Sequence, residues 1–335
     1  MNDRKYLGYL PQNDPLFDYL RYEIIPQMGV PNTPPAFRVY RLRASNHVYL
    51  YEDTSGEIRV IGKFFGASGK YASEAANRRM EREFNNLMYL RNLGFSGFPH
   101  YVPRPLGQNA WLNSVVIEEF CWGISLGEVI LNAVRGGNES VLFHKITSLA
   151  YFLATMHNHT ASEKTVDFSK DCAYFGKVAE QLRDSRYIGE KEFRDMLVIK
   201  DRWQEKHFMW EDRRVLVHGD VTPPNFLFGE GLWVIVLDVE RMKLADRVFD
   251  VGRLAGEIKH FFMQYRGNKT LAEPFIRHFL REYTSHFPDP RSAFDSITHR
   301  LPFYMGLTLL RIARNSWIKV NYRRGLLNQA WDTLG

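Results

Sequence analysis

The 335-residue chain holds only two cysteines, Cys121 and Cys172, far apart and in no metal-type or redox-type spacing. One such pair is a poor staple for a chain this long, which sets aside a disulfide scaffold and a cysteine metal site. No stretch of ~18 apolar residues occurs, so no membrane-spanning helix is expected. Met1 opens onto Asn2-Asp3-Arg4-Lys5 without an apolar signal core, and the default reading is a reduced, cytoplasmic protein. There is no internal repeat, no low-complexity segment and no long run of one charge. Net charge is +6, yet the densest basic clusters, Arg78-Arg79 with Arg82 and Arg323-Arg324, are short. A solvated helix face explains them as well as a nucleic-acid surface does, so no nucleic-acid partner is expected. An anionic small substrate such as ATP fits the same surplus.

What is abundant is core-forming material: 45% of residues are hydrophobic and 14% aromatic, which excludes disorder over most of the length. Leu16, Phe17, Leu20, Ile24 and Ile25 recur at helical spacing between Asp14 and Gln27, ahead of the breaker run Pro31-Asn32-Thr33-Pro34-Pro35. Strand-like text follows at Phe37–Leu42, Val48–Glu52 and Ile58–Phe65, the last two joined by a turn at Asp53-Thr54-Ser55-Gly56. A helix is predicted from about Ser73 to Leu93, then strands at Pro105–Gly107 and Ser114–Cys121. Beyond Gly123 the texture is mostly helical, with brief strands at Val215–Val217, Phe226–Phe228 and Trp233–Leu237. The fold class is therefore α+β with two lobes. The expected divisions are an N-terminal helix and linker over 1–35, an N-lobe over 36–121 and a C-lobe over 122–335.

The chemistry concentrates in His218-Gly219-Asp220-Val221-Thr222-Pro223-Pro224-Asn225-Phe226, followed by Trp233-Val234-Ile235-Val236-Leu237-Asp238. A short apolar strand delivers Asp220, a Pro-Pro loop follows, Asn225 arrives five residues later, and an apolar strand ends in Asp238. Phosphoryl transfer needs a carboxylate near the accepting hydroxyl and oxygen ligands for a magnesium that bridges phosphates. Asp and Asn also favour ordinary turns, but the flanking His-Gly, the strands on both sides and the second Asp make a fuller set than a turn requires.

This set resembles the catalytic loop and metal-binding segment of aminoglycoside phosphotransferases, choline kinases and fructosamine kinases, and is similar to the protein-kinase arrangement. The resemblance implies a protein-kinase-like fold, with a small antiparallel-sheet N-lobe and a larger, mostly helical C-lobe. It also implies transfer of the γ-phosphoryl group of ATP, with Mg²⁺, to a small-molecule hydroxyl. By that resemblance Asp220 orients or deprotonates the acceptor, and Asn225 and Asp238 bind magnesium. Glu240 matches the Asp-x-Glu text common in the group. His218 braces the loop rather than carrying protons.

The remaining parts have candidates. Lys63, inside a strand, would hold the α- and β-phosphates, and Glu83, on the following helix, would hold Lys63, with Glu81 as competitor. Val115-Val116-Ile117-Glu118-Glu119-Phe120-Cys121-Trp122-Gly123 resembles the hinge, whose Glu119 carbonyl and Cys121 amide would meet a purine edge. Cys121 has no neighbour that marks it as a reactive thiol. His157 is expected behind the catalytic loop, and Asp250, after Asp246, is expected to cap a helix and tie it to that loop.

One departure is the phosphate-covering loop, Arg41-Leu42-Arg43-Ala44-Ser45-Asn46-His47, which has no glycine. Ser45 or Arg43 would there replace backbone donors; a plain turn is the alternative. Only seven residues, 239–245, separate Asp238 from Asp246, too few for a peptide-binding activation segment. A helix from about Leu301 to Tyr322 carries Arg311, Arg314, Trp317 and Lys319, with Trp317 expected in the core. With Arg323 and Arg324 just beyond, that basic face favours a neutral or anionic sugar- or polyol-like acceptor over an aminoglycoside, by charge complementarity; merely solvated arginines are the alternative. A non-catalytic nucleotide-binding protein is the competing function.

Overall fold

The computed structural model describes residues 4–29, 36–42, 47–66 and 73–335. The chain divides into two compact units: residues 1–123 with 235–241, and residues 124–234 with 242–335.

The first unit is built on a six-stranded antiparallel sheet. Its strands are β1 (Arg4–Tyr9), β2 (Phe37–Leu42), β3 (His47–Asp53), β4 (Arg59–Phe64), β7 (Pro105–Asn109) and β8 (Val115–Glu119), in the order β1-β2-β3-β4-β8-β7. A two-residue hairpin, β5 (Ser96–Gly97) and β6 (His100–Tyr101), lies between the fourth and fifth of these in sequence. The β4–β8 register pairs Lys63 with Val116 and Ile61 with Glu118. Lys63 and Glu118 are thus diagonal neighbours on one face, within reach of long side chains.

Helix α1 (Pro15–Tyr19) starts at Asp14, whose carboxylate accepts the Leu16 amide at 2.9 Å, and continues through tighter and wider turns to Met28. Leu16, Phe17, Leu20, Ile24 and Ile25 join Phe37, Tyr51, Val60, Val115 and Ile117 in one core. The N-terminal segment set apart in the sequence is therefore part of the first unit, packed on its sheet by the apolar stripe that predicted the helix. Helix α2 (Glu74–Asn92) begins at Ser73, whose hydroxyl accepts the Ala76 amide, and buries Met80, Glu83, Leu87 and Leu90. The phosphate-loop candidates Ser45 and Arg43, and the Pro31–Pro35 linker, lie outside the described residues.

The second unit is mostly helical: α3 (Leu126–Gly136), α4 (Glu139–His159), α5 (Ser169–Asp184), α6 (Glu190–Gln204), α7 (Val248–Arg266), α8 (Glu273–Thr284), α9 (Pro290–Ala313) and α10 (Val320–Leu334). Short strands frame its central loop: β9 (Ile124–Ser125) pairs with β11 (Phe226–Phe228), and β10 (Val215–Val217) pairs with β13 (Lys243–Ala245). Strand β12 (Val234–Val236) crosses from the second unit into the short stretch belonging to the first. Helix α7 is buried from Val248 to His260. Glycine makes that possible: a Cβ on Gly252 would stand 2.4 Å from Tyr304 Cβ, and one on Gly256 2.7 Å from Thr308 Cβ.

The expected helix over Leu301–Tyr322 is corrected. Helix α9 starts eleven residues earlier and stops at Ala313, and α10 starts at Val320. Arg323 holds the break, donating to the carbonyls of Ala313, Asn315 and Ile318 at 2.9, 3.0 and 2.7 Å. The Ala313 carbonyl is one that the end of α9 leaves without a helical partner. Trp317 sits in the break, 67% exposed rather than in the core.

Candidate active site

In the first unit, Lys63 is buried on β4 and its ammonium is shared. Its Nζ lies 2.7 Å from Glu83 Oε1 and 3.0 Å from Glu118 Oε1. Glu83 is fully buried on α2 whereas Glu81 is exposed, which decides between the two candidates. Glu118 was missed by sequence reasoning, and the signal for it was the strand alternation that turns it away from Glu119. The Glu119 carboxylate instead accepts from the Tyr101 hydroxyl and the Arg104 amide, both at 2.5 Å, while its own amide donates to Arg104 O at 3.0 Å.

Two buried carboxylates competing for one ammonium leave surplus negative charge. Burial pushes Glu83 up to about 7, against the opposing pull of Lys63, and raises Glu118 for the same reason. Lys63 moves upward too: burial pulls it down, but Glu118, Glu83 and Asp238 outweigh that. The second oxygens of Glu83 and Glu118 are buried without a hydrogen-bond partner among the described residues.

Asp238 belongs to this unit and adopts a left-handed backbone, φ 58°, a conformation non-glycine residues rarely take. Its neighbours are pinned. Asn86 donates to the Val239 carbonyl at 2.7 Å, and Arg79 reaches Glu240 Oε2 at 2.9 Å. Glu240 thus anchors the segment that presents Asp238. The Asp238 carboxylate is an oxygen donor of the kind a hard divalent cation takes, and among the described residues no cluster of three or more acidic, His or Cys side chains forms a metal site.

Cys121 follows β8, and burial raises its thiol well above the usual range, so it stays neutral and unreactive at ordinary pH.

In the second unit, the loop after β10 is held from beneath by Asp250. Its carboxylate accepts the His218 amide at 2.6 Å and the Gly219 amide at 3.0 Å. Gly219 needs the left-handed φ of 79° that turns the chain towards Asp220. His157 Nε2 lies 3.2 Å from the same carboxylate, and its Nδ1 lies 2.7 Å from the Tyr283 hydroxyl. Burial lowers His157, so the ring is neutral; donating to Asp250, it accepts from Tyr283. Burial alone would raise Asp250, but hydrogen bonds from His157 and the Gly219 amide hold it below its ordinary value. The expected tie between Asp250 and the loop is present. The capping is not its role: Asp246 Oδ1 takes the Val248 amide at 2.9 Å, because Asp250 already lies within the first turn of α7.

His218 Nδ1 accepts the Asp220 amide at 3.2 Å, which is the bracing expected of it. Asn225 Nδ2 donates to the Asp220 carbonyl at 3.0 Å, leaving Oδ1 as the oxygen with which Asn225 can bind a cation. Asp220 itself is gripped by an arginine the sequence reading passed over. Arg253 Nη1 lies 2.7 Å from Asp220 Oδ1 and 2.9 Å from the Gly219 carbonyl. No motif marks Arg253; only its position three residues after Asp250, one helical turn along α7, pointed to it.

Residues 37–292 match the model of the phosphotransferase enzyme family. No curated protein matches the chain. Among solved structures, choline kinase from Cryptosporidium parvum is 12% identical, with 95% of this chain and 94% of that chain covered and a TM-score of 0.64. Ethanolamine kinase from Plasmodium vivax is 13% identical, with 94% and 86% covered and a TM-score of 0.61. An ADP-bound aminoglycoside phosphotransferase, APH(2'')-Ib, is 12% identical, with 96% and 99% covered and a TM-score of 0.55. At such identities the likeness is one of fold: an antiparallel sheet followed by a mostly helical part, the kinase-like α+β architecture that the sequence implied.

Proposed function

Because this chain belongs to the phosphotransferase enzyme family, a family of small-molecule kinases acting on hydroxyls, we propose that it moves the γ-phosphoryl group of ATP to a hydroxyl of a sugar- or polyol-like acceptor. The observation that carries the reading is the buried Lys63–Glu83 pair at 2.7 Å, formed between a strand and a helix twenty residues apart. A buried ammonium with anionic neighbours stays protonated, as a group that holds phosphate oxygens must. Glu83 aims it, and Glu118 takes its second side.

Asp220 orients the acceptor hydroxyl and receives its proton as the bond to phosphorus forms. Arg253 fixes which carboxylate oxygen faces the acceptor. Asp238 and Asn225 supply oxygen donors for magnesium, which when bound neutralises charge on the phosphate oxygens. The Glu119 carbonyl and Cys121 amide are the proposed partners of the purine edge, and Ser45 a phosphate donor.

The basic helix face that favoured a neutral or anionic acceptor is not the continuous surface the sequence suggested. Arg311 pairs with Glu257, and Arg323 is spent on carbonyls. The preference for such an acceptor now rests on Arg253 beside Asp220.

The test is transfer from γ-labelled ATP with Mg²⁺ to sugars, polyols, amino alcohols, aminoglycosides and nucleosides, comparing wild type with Asp220→Ala. Label in one acceptor class with wild type, reduced about 10³-fold in the variant, supports the reading. Transfer that persists in Asp220→Ala would overturn it.

A further inference from the structure

Beyond Asp220, the second unit gathers more positive charge than its ion pairs use. Arg253 is buried on α7, with its guanidinium on Asp220 at 2.7 Å and its carbon over the Phe249 ring at 5.1 Å. One turn further along α7, Glu257 pairs with Arg311 from α9. Arg311 Nε is nevertheless buried with no hydrogen-bond partner among the described residues. Arg314, three residues on, donates to the neutral Gln181 amide oxygen at 2.5 Å rather than to a carboxylate. Arg253 thus holds Asp220 and Arg311 holds Glu257, while Arg314, three residues from Arg311 on α9, has a neutral acceptor.

Tyr174 on α5, half-buried, has its ring 6.3 Å from that of Phe249, the ring under Arg253. Burial would raise its hydroxyl, but Arg253, Arg311 and Arg314 pull it below its usual value. Arg253 is itself pushed down, first by burial and then by Arg311. Arg253 and Arg311 are thus near enough for their charges to oppose each other, each with one carboxylate partner and Arg314 with none among the described residues. Crowding like charges in a buried place is unfavourable unless something anionic arrives.

We propose that Arg253, Arg311, Arg314 and Tyr174 form a subsite for a phosphate or carboxylate group carried by the acceptor, beside the hydroxyl that Asp220 orients. The inference rests on the phosphotransferase reading and narrows its acceptor to an acidic one, such as a sugar phosphate or a sugar acid. Guanidinium groups suit either anion, since their paired N–H donors match its oxygens in fork geometry. Arg253 would then serve twice, aligning Asp220 and touching the acceptor's anion. A cationic acceptor, amino sugar or amino alcohol, would meet repulsion from the same groups.

The experiment pairs each neutral acceptor with its acidic counterpart: glycerol with glycerol 3-phosphate and with glycerate, and glucose with glucose 6-phosphate and with gluconate. Wild type should transfer label to acidic members with kcat/KM at least tenfold above their neutral partners. Arg314→Gln and Tyr174→Phe, which leave the Arg311–Glu257 pair in place and should fold, should raise KM for the acidic acceptor several-fold with a smaller change in kcat. Arg311→Gln should raise it more. A second readout does not need the right acceptor. With Mg-ADP bound, inorganic phosphate or sulfate at millimolar concentration should raise the unfolding temperature of wild type and not of Arg311→Gln or Arg314→Gln. Equal use of neutral or cationic acceptors, or an anion effect that survives in both variants, overturns the subsite while leaving the phosphotransferase reading intact. Failure to bind Mg-ADP would instead overturn the phosphotransferase reading itself.

Discussion

In the first unit a lone lysine meets two buried glutamates and the field of Asp238; in the second Asp220 is held by Arg253, with the Arg311–Glu257 pair one turn along. Each cluster has a charge opposite to that of its central residue in excess. Around Lys63 the excess is carboxylate, which keeps the ammonium protonated. Around Asp220 and Glu257 the surplus is guanidinium, which suits an anion. Neither cluster is arranged for stability alone, since pairing each charge once would cost less than crowding it.

The comparison is broken most sharply by removing the central charge of the first cluster. Lys63→Met leaves two buried carboxylates without a cation, and urea unfolding should report a loss on the order of 3–5 kcal/mol. Asp250→Ala should come next, at about 3 kcal/mol, because the amides of His218 and Gly219 and the ring of His157 lose their acceptor together. It should also disorder the Asp220 loop, visible as faster amide exchange there.

A pH scan examines the basic side separately. Burial, helped by Arg311, holds His260 down to about 4, so the folded protein keeps it neutral while the unfolded chain protonates near the ordinary 6.5. Between those values the unfolded state binds more protons. The contribution is therefore complete above the unfolded value and is lost as pH falls through 6.5 to about 4, by on the order of 3 kcal/mol. His260→Gln should flatten that part of the acid profile in thermal melts. The smallest effect belongs to Glu118→Gln, expected within about 1 kcal/mol of wild type, since it neutralises one of two carboxylates competing for one ammonium. A large loss there would mean that Glu118, not Glu83, is the main partner of Lys63.

Much of this was legible where the chemistry is local in sequence. Asp220 and Asn225 share one loop, and the helical period around Glu83 separates it from Glu81. The Lys63 strand could be read from its hairpin turn. Glu118 could not, because its role comes from the β4–β8 register, which pairs strands some fifty residues apart. Arg253 and Arg311 each look like one more charge on a helix. Only the close approach of α7 and α9 at Gly252 and Gly256 brings their charges together. The break between α9 and α10 was equally hidden, since Arg323 reaches back to it from beyond. Strand β1 was missed because it lies exposed at the sheet edge, with none of the alternation that marks a half-buried strand.

The most direct test of the division between the two clusters is Mg-ATP binding by calorimetry alongside phosphoryl transfer, for wild type and Asp220→Asn. Asp220→Asn is predicted to keep nucleotide affinity within about threefold while transfer falls about 10³-fold. Transfer retained within tenfold, or nucleotide affinity lost together with transfer, would contradict the assignment of phosphate holding to the first cluster and hydroxyl orientation to the second.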